Sequence, residues 1–329
     1  MAKDSPRIAL PTAPWQAKRA DEGYGERDSQ NWREVDWLAQ LKQVEIDGSR
    51  VNYVDMGSGE GAPVVLVHGL AGQWQNWLEN IPRIAQERRV IALDLPGFGL
   101  SEMPRDKVTI SGYGHCVHAL CEQLGIDRAH LVGNSMGGFV SAEVAIQFPQ
   151  LVERLALVSA AGISSANVSR APILTAYRTA AAVATYTAAR HRQIARRRLA
   201  RHFALLFVAH HPSKLAPDLV WEGFMKGTGK PGFDDALKAC LEYDFRDRLG
   251  EIRAPTLIAW GAPDTVIPVR DAQEYERLIE DSRKVVMEDT GHVPMAERPR
   301  TFNKLLLEFL SESGPAEAKE PVEAQSQQV

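Results

Sequence analysis

The chain has 329 residues, 44% hydrophobic and 24% charged, with a net charge of −4 at neutral pH. That composition excludes wholesale disorder, and the length suits one large domain carrying an insertion. The three cysteines, Cys116, Cys121 and Cys240, are too few and too odd in number for a disulfide framework.

Residues 1–30 are polar, with prolines at 6, 11 and 14, and read as a flexible arm. They show no basic-then-apolar leader, and no run of about 18 apolar residues follows anywhere. With the free thiols, this points to a cytoplasmic protein. A short helix is expected within Asn31–Gln40. The runs Gln43–Asp47 and Arg50–Met56 flank an Asp47-Gly48 pair and predict a β-hairpin. From residue 63 onward, apolar runs without alternation predict strands buried on both faces: PVVLVH (63–68), RVIALDL (89–95), AHLV (129–132) and RLALVS (154–159). Helical stretches around 74–86, 112–124 and 136–148 separate them, so a mostly parallel sheet with helices on both faces is expected.

After Ser159 the alternation stops for about ninety residues, through a segment rich in alanine, arginine and leucine. The strand pattern resumes at 254–260 and 284–287 and closes with a helix near 301–310. The expected organisation is therefore a core of 43–160 and 249–311, a helical cap of 161–248, and a disordered tail of 312–329. Between Arg154 and Pro217 there are ten basic residues and no acid. At helical spacing Arg190, Arg197 and Arg201 fall on one face, with Leu199, Phe203 and Leu206 roughly opposite. An outward arginine stripe with peripheral contact to anionic membranes is one expectation, and a solvated face pairing with the acidic body is the other.

The chemistry is concentrated in Gly133-Asn134-Ser135-Met136-Gly137. This G-x-S-x-G run follows a buried strand and opens a helix, the setting in which a serine hydroxyl is presented on a sharp turn. Gly138 then lets the helix approach the sheet. A serine needs a base to take its proton. Of nine histidines, His292 lies just after the last strand, in Asp289-Thr290-Gly291-His292-Val293-Pro294. Asp264, in Trp260-Gly261-Ala262-Pro263-Asp264, follows the penultimate strand and is the candidate to orient the imidazole. Asp94 and Asp289 read as surface or capping residues. The Met136 and Leu70 N–H groups are the expected oxyanion donors, with Gly69 turning the chain towards Ser135 and His68 as a positioning residue. No cofactor, metal site or nucleic-acid partner is expected. The Gly57-Ser58-Gly59-Glu60-Gly61-Ala62 run precedes a strand and reads as a turn. His115, Cys116, His118 and Cys121 lack paired metal-ligand spacing and read as a helix face.

Together these residues resemble the α/β-hydrolase superfamily over roughly residues 43–311, through His68-Gly69, Asp94-Leu95-Pro96-Gly97-Phe98-Gly99-Leu100-Ser101, the Ser135 run, Trp260–Asp264 and Gly291-His292. The resemblance implies a capped serine hydrolase. Ser135 stands where epoxide hydrolases and haloalkane dehalogenases carry an aspartate. Meta-cleavage C–C hydrolases share the Gly-Asn-Ser-Met-Gly-Gly run, but Leu70-Ala71-Gly72-Gln73-Trp74 and Val293 depart from their usual pattern. The Gly291–Pro299 run is more similar to esterases and monoacylglycerol-lipase-like proteins. The resemblance thus implies hydrolysis of an ester with an apolar acyl group, with C–C hydrolysis, or small-molecule reception on the same scaffold, as the alternatives.

Overall fold

The computed structural model describes residues 10–28, 31–164, 195–226 and 231–312. Eight strands form one sheet: β1 (Leu41–Ile46), β2 (Ser49–Met56), β3 (Val64–Val67), β4 (Val90–Leu93), β5 (Ala129–Asn134), β6 (Val152–Val158), β7 (Thr256–Gly261) and β8 (Ser282–Met287). Their spatial order is β1-β2-β4-β3-β5-β6-β7-β8, antiparallel at β1, β2 and β4 and parallel from β4 onward. Every apolar run read as a strand is one. Asp47 and Gly48 both take positive φ (49° and 72°), the backbone that a two-residue hairpin turn demands.

Alternate residues of the central strands feed two apolar clusters. Val65, Val67, Leu155 and Leu157 pack with α1 (Ile110–Gln123) and α2 (Met136–Gln147). Val64, Leu66, Ala156 and Val158 face the other way, towards residues of the C-terminal Pro299–Ser311 helix. Strands buried on both faces need no polar alternation, which is why these runs read as continuously apolar. The helix expected over 74–86 is instead a turn at Trp74–Trp77 and a short helix at Ile81–Ile84. Pro82 explains the break, since it lacks an N–H and its ring cannot continue the preceding turn.

Two expectations need correction. The arm is not free over residues 10–28. Thr12, Ala17 and Tyr24 are buried. Asp21 holds Arg298 through two oxygens, at 2.8 and 2.9 Å, and the Gly25 N–H donates to the Glu297 carbonyl at 2.6 Å. Its polar groups pair one by one with distant partners, and no local sequence pattern reveals such pairing. Residues 1–9 and the tail from 313 lie outside the described residues.

The second correction concerns the arginine stripe. Residues 165–194, including Arg190, lie outside the described residues. The helix that follows, α3 (Arg198–Ala204), is less than two turns long. Arg201 is 6% exposed and donates to the carbonyls of Ala195 (2.6 Å) and Ser213 (2.9 Å). Leu199 and Phe203 are instead 60% and 62% exposed. Arg197 is exposed as expected, but Arg201 leaves the projected face because its guanidinium satisfies buried carbonyls that the helical projection could not foresee.

The remaining described residues of the segment expected to form a cap divide between two neighbours. Residues 205–226 lie against loops at the carboxyl ends of the strands, as detailed below. Helix α4 (Phe233–Glu242) instead places Ala236, Ala239 and Cys240 in the cluster shared with α1. A helix not anticipated from sequence, α5 (Arg270–Leu278), joins β7 to β8. It buries only Asp271, Ala272 and Tyr275, too thin an apolar stripe to stand out. Pro299–Ser311 is α6, the closing helix. Among the described residues no helix is long and apolar enough to cross a membrane.

Candidate active site

Ser135 is the single residue between β5 and α2, with φ 56° and ψ −120°. For a residue carrying a Cβ this is a strained conformation, and such outliers concentrate at functional sites. Close approach makes the turn possible. A Cβ on Gly137 would sit 2.1 Å from the Val67 carbonyl oxygen, and one on Gly138 would sit 2.5 Å from the Ala160 Cβ. Backbone bonds then fix the serine: its N–H donates to Val158 O and its carbonyl accepts from Ala161 N, each at 3.0 Å.

β4 lies on one side of β3 and β5 on the other, so Ser135 stands at the point where strand order reverses. Open α/β sheets bind ligands at that crevice. The loop after β3 reaches the serine there, and a Cβ on Gly69 would lie 3.1 Å from the Ser135 Cβ. His68 fixes this loop from beneath. Its Nδ1 donates to Gly69 O at 2.7 Å while its Nε2 accepts from Leu95 N at 3.0 Å. Complete burial pushes its pKa down to about 4, so the ring stays neutral in this bridging role. Ala71, in the same loop, has φ 60°, an outlier that sequence reasoning missed. Among the described residues, neither the Leu70 nor the Met136 N–H donates to a protein acceptor.

His292 and Asp264 meet. His292 Nδ1 lies 2.8 Å from Asp264 Oδ2, and both residues are buried. The other Asp264 oxygen accepts from the N–H groups of Val266 (2.8 Å) and Ile267 (2.9 Å), which restrains the carboxylate. The Asn134 side chain ties this pair to the serine turn, donating to His292 O (3.1 Å) and Val158 O (3.0 Å). Asp94 is elsewhere. It is buried, not on the surface, and accepts from Trp74 N, Asn52 Nδ2 and Leu100 N at 2.8–2.9 Å. It holds loops together.

Glu297 is the residue that the sequence reading overlooked. Its fully buried carboxylate accepts from Gly291 N and Val293 N, which flank His292, and from His210 N and the Tyr24 hydroxyl. The distances run from 2.6 Å to 3.2 Å. The His292 loop, the 205–226 segment and the N-terminal arm therefore converge on one side chain. Burial raises the pKa of this carboxyl, against the pull of those donors. Further bonds join the 205–226 segment to the body around the site: His292 N to Val208 O, Thr265 Oγ1 to Phe207 O, and Asn76 Nδ2 to Gly223 O. The surface clefts beside Gly59 and Arg128, and beside His118 and Phe148, are lined by none of these residues. The cysteines are buried and unpaired, and burial pushes each thiol up to about 12.

Residues 62–299 match the family described as alpha/beta hydrolase fold. The chain belongs to this family. As an alpha/beta hydrolase it is 32% identical over 278 residues to the dihydrolipoyllysine-residue acetyltransferase component of an acetoin cleaving system from Pseudomonas putida, covering 82% of this chain and 69% of that one. It is 31% identical over 288 residues to a 2-hydroxy-6-oxo-2,4-heptadienoate hydrolase from Pseudomonas putida, covering 82% of this chain and 96% of the relative. Among solved structures, a membrane phospholipase A matches at 28% identity and a TM-score of 0.60, over 83% of this chain and 86% of that one.

Proposed function

We propose that this alpha/beta hydrolase cleaves carboxylic esters through an acyl-serine intermediate, with Ser135 as nucleophile, His292 as base and Asp264 as the acid that orients it. The observation that carries the reading is the strained Ser135 at the switch point, tied through the adjoining Asn134 side chain to the loop of a His292–Asp264 pair whose carboxylate also accepts two backbone N–H groups. Asp264 fixes the proton on His292 Nδ1, leaving Nε2 to take the Ser135 proton as Oγ attacks the carbonyl carbon. The N–H groups of Leu70 and Met136 would hold the developing oxyanion. His292 then protonates the departing alcohol oxygen. Water, deprotonated by the same imidazole, releases the acid and restores Ser135.

A second reading has its own support. The same three residues can act on a ketone carbonyl, with proton delivery to carbon in place of oxygen. The relative matched over 96% of its length carries the name of a hydrolase of a dienoic keto acid. Turnover of p-nitrophenyl esters of graded chain length, beside a vinylogous 1,5-diketone acid, separates the two. Ester hydrolysis with a burst of p-nitrophenol, lost in Ser135→Ala, supports the first. Diketone cleavage at a kcat/KM far above the best ester replaces it with the second.

A further inference from the structure

We propose that His210, His211 and Asp289 form a binding site for a divalent transition-metal ion of the zinc type, joining the cap to the loop that carries His292. Asp289 follows β8 and lies three residues before His292, in the left-handed backbone region at φ 51°. Its Oδ1 lies 2.7 Å from His211 Nε2 and 3.2 Å from His210 Nε2. One donor atom from each of the three residues falls within 4.8 Å of the others.

The separations suit a tetrahedral ion. Bonds of about 2.0–2.2 Å to nitrogen and oxygen place neighbouring donors about 3.3 Å apart. The His210 contact already has that spacing, and the His211 contact has to open by roughly half an ångström. Two imidazoles and one carboxylate, without a thiolate, select zinc-like or nickel-like ions over calcium and magnesium.

The surroundings are also those of a ligand set. The far nitrogen of His210, Nδ1, lies 2.7 Å from Thr12 Oγ1, which holds Nε2 towards Asp289, as outer hydrogen bonds do for metal-bound histidines. The His211 ring is buried edge-on against Tyr24, with centroids 5.1 Å apart. Arg298 approaches the other Asp289 oxygen at 3.4 Å, but Asp21 already holds it through two bonds. Arg298 therefore orients the carboxylate while its charge is offset elsewhere. With Asp289 counted, the Arg298–Asp21–Asp289 group keeps one net negative charge for a cation to meet. Asp289 is partly exposed, which gives an ion its way in and water a place in the fourth position.

The sequence gives no warning of such a site, because the ligands are an adjacent pair and a residue 78 positions away. The test uses the full chain, stripped with a chelator and titrated with Zn2+ by calorimetry in a non-coordinating buffer. One equivalent should bind with micromolar affinity or better, and Zn2+ should raise Tm by a few degrees. His211→Gln and Asp289→Asn should each weaken binding by more than about tenfold and abolish the Tm rise, whereas His118→Gln, on α1, should change neither. Melting of the metal-free variants reports whether they fold. His210→Gln, at the less buried ring, provides the same comparison if the other two do not. Absence of a bound equivalent, or binding unchanged in the folded variants, overturns the proposal.

Discussion

The Ser135 turn and the His292 loop are joined through the Asn134 side chain but are held by different means. The serine is fixed almost wholly by backbone, through Val158 and Ala161 of the adjoining strand and the segment after it, and by glycines that let β5 and α2 close up. The histidine has one backbone bond, from its N–H to Val208 O, and is otherwise held by side chains: Asp264 and Asn134 from afar, and nearby Glu297 with its distant ties to Tyr24 and His210. Backbone bonding makes the first half insensitive to most side-chain changes but intolerant of an added Cβ. The second half is open to graded adjustment by single substitutions, many of them distant from any substrate.

The sharpest break comes within the proposed reacting groups. Ser135→Ala or His292→Ala should lower kcat by about 10⁴ or more with little change in Tm, because such groups act as one unit. Asp264→Asn should fall nearly as far, whereas Asp94→Asn should lose stability instead, seen as a lower urea midpoint. The reverse outcome for the two aspartates would remove Asp264 from its role. On the backbone-held side, Gly137→Ala drives a Cβ to 2.1 Å from the Val67 carbonyl. It should cost several kcal/mol and leave little soluble protein, by circular dichroism and yield.

A smaller effect is expected on the side-chain-held half. Glu297→Gln replaces a carboxylate that receives four donors with an amide offering only one acceptor oxygen. It should lower kcat about tenfold with KM less affected, while Tyr24→Phe, removing one of those donors, should cost about 1 kcal/mol. If Glu297→Gln left kcat unchanged, His292 would be held by other contacts.

A test without substitution is by pH, and it concerns the body. Burial, aided by Arg88, Arg154 and Arg128, pushes the His130 pKa down to about 3, and burial pushes His68 to about 4. Below about pH 6.5 the unfolded chain takes up protons that the native chain refuses until those lower values. Stability should therefore fall as pH drops from about 6.5 to 4, by up to about 1.4 kcal/mol per unit for each histidine. His130→Gln should flatten that slope in urea titrations at successive pH values.

The contrast also explains what was legible in the sequence. Strands such as VVLV and VIAL, and the Gly-Asn-Ser-Met-Gly turn, announce themselves because local residues determine them. Asp264 and His292 could be chosen because each follows a strand end in a fixed chain order. Tyr24 and Asp21 went unread because their partners lie nearly three hundred positions away. Glu297 went unread because its bonds to the nearby Gly291 and Val293 N–H groups exist only once the loop has folded around it, while its others come from Tyr24 and His210. Arg201 misled because a charged residue on a projected helix is assumed to face water, while here it bonds to two buried carbonyls.

The convergence on Glu297 sets a rule for recombining this scaffold with its relatives. Residues near 24, 210 and 297 meet at one carboxylate, so they have to be inherited together. A chimera that imports a foreign cap alone would retain an arm and a base loop shaped for the old one. It should express as a folded body with a poorly aligned imidazole. Transplanting the first thirty or so residues along with the cap, or restoring the Tyr24 and His210 contacts by hand, is the smaller unit of exchange that keeps the site intact.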